Sequence, residues 1–437
     1  MIAVATVLLA FALAPFGAAV PASSGNFNVL SYNVAGLPAG LSSSNPSVNT
    51  PQISPRLAPY NIVHVQEDFN SHAALYASDN HPYRTPTSGG AGIGQGLNSL
   101  SVFPYDDFER HKWGTCSDAS GADCLTPKGF TSMRVQIDEG IRILFINLHA
   151  DAGTENGDLS ARRSNIDEVA NYITANAAGD AVLVFGDTNT RYTRSGDNIR
   201  DLASIASMTD AWVELIRSSA GPPTQGADAL VCPDPPTNDC EVVDKIWYKG
   251  SRYLQLKATY WNDEDAKFRD ASNKMLSDHS PITAGISWTL AEDLRKSNVF
   301  GGPHGDFYDD ALSLPSPPNA VAVTSITVRS GSRVDQLRLS FSSGAQVSHG
   351  GSGGSDHTLS LASGEYPVSV ELHEGEKDGH TRIFFAKFTT NLGRSVSGGS
   401  TTSDKTVFTA PSGWKIGGVY GRSGDELDKV GMVYVRI

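Results

Sequence analysis

The sequence predicts two domains in series, an α/β layered domain followed by an all-β one, and three observations carry that reading. At 437 residues the chain exceeds what one ordinary hydrophobic core organises. From Phe27 to about Ala291, short apolar runs such as ILFIN and AVLVF alternate with segments of helical period, as strands joined by crossover helices do. Near Leu294 the composition shifts to Ser, Thr, Gly and Val. Runs such as SITVRSG, VDQLRLSF, RIFFAKFTTN and KVGMVYVRI follow, punctuated by Gly pairs and almost without helical period. The predicted division is 1–22, 23–295 and 296–437, with LPSPPNA (Leu314 to Ala320) an exposed loop inside the last part.

Residues 1–22 read as a secretory signal peptide: MIAVATVLLAFALAPFGAAV is apolar throughout, and Ala19 or Ala22 offers a small-residue cleavage site before a polar stretch. Its n-region lacks Lys and Arg, and an uncleaved anchor would also be apolar and about this long. Pro15 and the small-residue end favour cleavage, and so a secreted, extracellular protein. Four cysteines suit that compartment. Of the three possible connectivities the local one, Cys116 with Cys124 and Cys232 with Cys240, closes the shortest loops. A zinc site is disfavoured, because neither pair has CxxC spacing and no His ladder accompanies them. The net charge of −13 argues against a general nucleic-acid-binding surface, which displays a basic stripe.

Within the first domain, DLSARRSNIDEVANYITANA has the period of an amphipathic helix. Ile166, Val169, Ala170 and Ile173 form its apolar face, and Arg162, Arg163, Asp167 and Glu168 are assigned to the solvated one. The apolar runs themselves end on polar residues: Asn33 in LSYNV, Glu67 in HVQE, His149 in INLHAD, Asp187 and Asn189 in VFGDTN, Asp244 in VVDKI, and Asp278 and His279 in the loop tripeptide SDH. Any one alone would be a core or capping residue. Together they supply what phosphoester hydrolysis requires: a cation to neutralise nonbridging oxygens, a base for water, donors for phosphate and a proton route. Glu67 suits a hard cation, Asp187 and Asn189 can align water and phosphate, and Asp244 can orient His279 as the base.

In order and type these residues resemble the endonuclease/exonuclease/phosphatase superfamily, the deoxyribonuclease I-like group, over residues 26 to 288, with the motif series SYN, QE, NLH, GDTN, DKI, SDH. The resemblance implies a four-layer α/β/β/α sandwich with its site at one end of two packed sheets. It places Asn33, Glu67 and Asp278 near a Mg²⁺ ion (Mn²⁺ or Ca²⁺ as alternatives), Asp187 and Asn189 at water and phosphate, His149 as phosphate donor or acid, and Asp244 with His279 as base. GDTN departs from the commoner GDFN only at a position not expected to be a ligand. Asp123-Cys124-Leu125-Thr126-Pro127-Lys128-Gly129-Phe130 approximates an Asp-x-Leu-x-x-Lys-Gly-Phe pattern of the bacterial sphingomyelinase branch. Lys128 is there either a phosphate contact or a solvated lysine before a turn. Tyr260 and Trp261 are packing residues, with a peripheral lipid contact as the alternative. The phosphodiester is thus a phospholipid head group, or else a nucleic acid.

Beyond Val299 the motif GGPHGDFYDD, with HGGSGG (His349 to Gly354), GEYPVSV and GRSGDELDKVG, resembles the jacalin-related lectins through to residue 437. That implies a β-prism of three four-stranded sheets, with a sugar site made by Gly305 and the loop Gly424, Asp425, Glu426, Leu427, Asp428. In that site Gly305 permits close approach, backbone N–H groups at Asp425 and Glu426 donate, and Asp428 accepts from two hydroxyls at once. His304 stands where the family commonly has glycine, and the mannose/glucose-binding branch is the nearer analogy. The combined expectation is a secreted metal-dependent phosphodiesterase of sphingomyelinase type, docked onto mannose- or glucose-type glycans. The alternatives are a secreted endonuclease and a lectin with an idle hydrolase scaffold.

Overall fold

The computed structural model describes residues 22–37, 42, 44–89, 93–121, 123–177 and 179–437. All of the expected signal segment except Ala22 lies outside them. Two six-stranded mixed sheets with accompanying helices make up the N-terminal part. The first runs Leu254–Asp263, Ile282–Leu290, Ser24–Asn33, Ile62–Gln66, Asn98–Ser101, Tyr83–Arg84. The second runs Tyr105–Lys112, Gly129–Asp138, Ile141–Leu148, Ala181–Asp187, Asp244–Lys249, Thr209–Asp210. Each sheet has one parallel pair at its centre, Ser24–Asn33 with Ile62–Gln66 and Ile141–Leu148 with Ala181–Asp187. Ile141–Leu148 and Ala181–Asp187 are mostly apolar and buried throughout because both of their faces are covered, whereas Ser24–Asn33 mixes polar and apolar residues and is continuously buried only from Val29 onward. The facing sides interlock through rings. Phe27 lies 6.0 Å from Phe145, Phe145 lies 6.0 Å from Phe185, and the His64 ring stacks at 3.7 Å on Phe185.

The helix Asn156–Asn176 buries Ile166, Val169, Ala170 and Ile173, as its period requires. Arg162 departs from expectation, since it is fully buried and not on the wet face. Its Nε donates to Asp197 Oδ1 at 2.9 Å, and its Nη1 donates to the carbonyls of Asp151 and Gly153. Charge assigns a residue to solvent only when no buried acceptor awaits it, and here the loop after His149 supplies the acceptors. Both local disulfides form, Cys116–Cys124 and Cys232–Cys240. Trp261 is buried, whereas its neighbour Tyr260 is 40% exposed. No helix of the described residues is long and apolar enough to cross a membrane.

Three four-stranded antiparallel sheets form the C-terminal part, which opens on the strand Leu294–Gly301 paired with the final strand Leu427–Arg436. The polar stretch RKSN therefore lies inside a strand, and only residues 291–293 separate it from the last strand of the first half. The two halves share a buried seam. Lys296 Nζ sits 4.4 Å from the Tyr253 ring and 4.6 Å from the Tyr420 ring, and bonds Asp309 at 2.5 Å. LPSPPNA is not simply an exposed loop, because Leu314 and Pro318 are buried. Arg252 donates to the Ala311 carbonyl at 2.8 Å and to those of Leu314 and Pro315.

Asp107 is the electrostatic centre of the seam. Lys429 reaches it at 2.7 Å and Arg422 at 3.3 Å from the C-terminal half, while Arg134 and Arg142 stand at 3.6 Å from its own side. Burial alone would raise its carboxyl, but the cations overcome this and hold it well below the usual range.

Candidate functional site

The central strands deliver the predicted residues to one end of the sheets. Asn33 and Asp187 are the last residues of their strands, Glu67 and His149 each follow one directly, and Asp244 opens the strand that pairs antiparallel with Ala181–Asp187. Register sets Asp244 opposite Asp187, and a bridge joins His149 to Asp187. Glu67 (φ 59°) and Asn189 (φ 51°) take left-handed backbone, turning the chain sharply at the two strand tips. The Glu67 turn requires a small neighbour. A Cβ on Gly36 would stand 2.3 Å from the Glu67 carbonyl oxygen.

Asp187 Oδ2 is the point of convergence. Asn33 Nδ2 donates to it at 3.0 Å, His149 Nε2 lies at 3.4 Å and His279 Nε2 at 3.7 Å. Asp187 Oδ1 accepts the Asn189 backbone N–H at 2.9 Å, and Asn189 Nδ2 donates to the Ala150 carbonyl. His279 Nδ1 lies 2.8 Å from Asp244 Oδ2, a contact that assigns the proton to Nδ1 and turns Nε2 toward Asp187. Burial works against charge on His279, but Asp187 and Asp244 outweigh it and hold the imidazole up to about 10. His149 goes the other way. Burial first, and then nearby Lys128, push it down to about 3, so it is a neutral imidazole. Burial likewise raises the Glu67 carboxyl above its ordinary value, the Asn33 hydrogen bond opposing.

Several assignments sharpen. Asn33 faces Glu67 with its amide nitrogen, donating at 3.0 Å, while its oxygen accepts the Ala35 N–H at 3.0 Å. It thus positions the carboxylates, and its oxygen is already engaged. Asp278 is exposed beside His279, with Ser277 Oγ at 3.4 Å. Lys128 is not a solvated lysine. It is 9% exposed and pairs with Asp123 Oδ1, whose other oxygen accepts the Ala152 N–H at 2.7 Å.

The residues that sequence reasoning missed support the site from behind. Trp113 Nε1 donates to the His149 carbonyl at 2.8 Å, and Gln66 Nε2 donates to Asn147 Oδ1 at 2.8 Å, tying together the strands that carry Glu67 and His149. Gln66 and Asn147 each stand one or two places before a predicted residue. An unexplained amide inside an apolar run was the available signal.

The donor set fits a hard divalent cation. Ligand atoms of Asp187, Asp244 and His279 lie within 4.8 Å of one another, and Asp244 Oδ1 is buried without a partner among the described residues; because His279 is bonded to Asp244, the carboxylate of Asp187 is the member of this group left to face a cation. Glu67 adds a further carboxylate 4.0 Å from His149. Such a concentration of buried anionic oxygen is the environment Mg²⁺ takes.

In the C-terminal half, Gly305 (φ 70°) lies against the strand-end residues Ser423 and Asp428. A Cβ there would stand 2.6 Å from Asp428 Oδ2. Gly424 and Asp425 are exposed and Glu426 half-buried, but Leu427 is fully buried and faces the core, so its side chain does not line a pocket. Asp428 Oδ1 is already bonded by Arg382, which leaves fewer free acceptors than the two expected.

Residues 47–221 match the Endonuclease/Exonuclease/phosphatase family 2, and residues 297–433 match the Jacalin-like lectin domain. The first match includes Glu67, His149, Asp187 and Asn189 but stops short of Asp244 and His279, which stand on their geometry. A sphingomyelinase of Mycobacterium tuberculosis is 36% identical over 274 residues, 61% of this chain and 53% of that protein. This chain therefore spans about half the length of that relative. Horcolin of Hordeum vulgare is 28% identical over 120 residues, 26% of this chain and 82% of that protein. The solved sphingomyelinase C of Streptomyces griseocarneus is 17% identical, covers 60% of this chain and 99% of its own, and has a TM-score of 0.42.

Proposed function

We propose that this chain, an endonuclease/exonuclease/phosphatase-family region followed by a jacalin-like lectin domain, is a secreted, divalent-cation-dependent phosphodiesterase that cleaves phospholipid head groups of the sphingomyelin type and holds glycans through its second half. On this reading the first half is the four-layer sandwich and the second the β-prism. One observation carries the chemistry: His279 lies between two buried carboxylates, hydrogen-bonded to Asp244 at 2.8 Å and facing Asp187 at 3.7 Å, with neutral His149 on the same Asp187 oxygen.

Glu67 and Asp187, joined by the Asn33 amide, would hold a Mg²⁺ ion with Asp278 at the mouth, and that ion would neutralise the nonbridging phosphate oxygens. Every other task falls to the chain. Asp244 fixes the ring of His279 by accepting the hydrogen bond from its Nδ1–H, so Nε2 is the atom that accepts a proton from water once the Asp187 charge facing it is compensated. Asn189, held by the Ala150 carbonyl, and Asp187 orient that water. His149, uncharged, donates to phosphate without adding a competing cation. The two disulfides suit an oxidising, extracellular setting, and the net charge of −13 favours a head group over a polyanionic duplex.

The test compares Mg²⁺-dependent phosphocholine release from sphingomyelin vesicles with nicking of plasmid DNA. Release without nicking is expected. Nicking without release would move the chain to the nucleases, and silence on both would leave a lectin with an idle scaffold.

A further inference from the structure

Asp428 is 2% exposed and lies at the base of the Gly305 loop, where a sugar-binding carboxylate would offer both of its oxygens. One is engaged. Arg382, from the start of the strand His380–Thr390, bonds Oδ1 with Nη1, and its own side chain is only 21% exposed. Its Nε lies 3.8 Å from Glu426 Oε2, and Glu426 in turn is gripped by Arg333, Nε to Oε2 at 2.8 Å. Two arginines from neighbouring strand ends thus neutralise the acids of the loop, leaving Asp306 and Asp425 as exposed, solvent-screened charges.

The surroundings of the loop carry two histidines and a further arginine. His304 meets His380 edge-on at 4.2 Å, and Arg422 Nη1 donates to the Gly305 carbonyl at 3.0 Å. Some burial, and then His380, Arg382, Arg422 and Lys429, hold the His304 imidazole below its ordinary value, the mark of a positive local field.

A neutral hexose needs two hydroxyls on Asp428, and so must displace a charge-assisted hydrogen bond to reach Oδ1. A saccharide bearing a carboxylate or sulfate need not. Its anion takes the planar guanidinium fork while its hydroxyls use Asp428 Oδ2 and the loop N–H groups. We propose that Arg382 is the specificity-determining residue of this site, selecting acidic saccharides over neutral mannose or glucose. This rests on the glycan-binding reading above.

The experiment is calorimetric titration of the full chain and of Arg382→Gln with methyl α-mannoside and methyl β-glucuronide, with thermal unfolding run on both proteins to show an unchanged fold. The wild type is expected to prefer the glucuronide. Arg382→Gln, which keeps an amide donor but no charge, reverses the preference, with mannoside affinity rising by about tenfold as the charge-assisted competitor is lost. A wild type that prefers the mannoside, with the same ratio in Arg382→Gln, overturns the role of Arg382 and leaves glycan binding intact. Binding of neither sugar by either protein sinks the glycan reading itself.

Discussion

The proposed catalytic site and the proposed glycan loop are each built on a buried aspartate at a strand end that holds one cationic partner, and the partners differ in kind. Asp244 holds His279, an imidazole raised to about 10 that can give up its proton once the Asp187 charge facing it is compensated; Asp428 holds Arg382, a guanidinium that cannot. The first pair is therefore suited to turnover and the second to recognition. Asp107 is a third case. Enclosed by Lys429, Arg422, Arg134 and Arg142, it joins the two halves. Burial of an aspartate is common to all three, and the partner decides the use.

The comparison breaks first at the cation. Chelation with EDTA is expected to abolish phosphocholine release and added Mg²⁺ to restore it, while glycan binding, which uses no metal in this account, stays unchanged in the same sample. A parallel loss of both would show that the ion serves the whole fold.

His279→Ala should lower turnover by about 10²- to 10⁴-fold, the range for a positioned acid or base, with vesicle binding retained. Turnover within tenfold of wild type would remove His279 from the chemistry. At the seam the effect falls on stability. Asp107→Ala removes the carboxylate that four cations share, but Lys429 and Arg142 keep Asp106, Arg134 keeps Asp180 and Arg422 keeps Glu109, so it should cost about 1 to 3 kcal/mol in denaturant unfolding, the range for removing one partner of a buried polar contact. A cost below about 1 kcal/mol would show that the halves are held by apolar packing alone.

Removing the Cys116–Cys124 bridge by paired Ser substitution should cost about 2 to 3 kcal/mol, the entropy of closing so short a loop. Because that loop leads into Lys128, which sits near His149, turnover should fall with it. The smallest effect is expected at Tyr260, where alanine should change stability by less than about 0.5 kcal/mol. A marked drop in vesicle binding there would make this exposed strand residue a lipid contact.

The strand-tip residues were legible because each breaks an apolar run and the breaks recur in one order, so Asn33, Glu67, His149, Asp187, Asp244 and His279 could be named before any geometry. What escaped shares one cause. Arg162 was placed in solvent because helical period shows which residues share a face but not whether a distant loop supplies Asp197 to that face. Lys429 and Asp107 are 322 residues apart, and nothing local marks either as a seam residue. Asp428 is expected from the sequence to accept from two sugar hydroxyls, and nothing local points to Arg382, 46 residues away, which bonds one of its oxygens. The resemblance places Asn33 near the metal but does not show which end of its amide faces the site; the backbone turn at Ala35 uses the oxygen and directs the nitrogen to the carboxylates.

The central claim is that Asp244 acts through His279, and a double-mutant cycle on phosphocholine release tests it most directly. With Asp244→Asn, His279→Ala and the double variant, the account predicts strong non-additivity: the double variant turns over no more slowly than His279→Ala, because the carboxylate has nothing left to orient. Two losses that multiply in full would contradict it and give Asp244 a role of its own, at the cation or at the substrate.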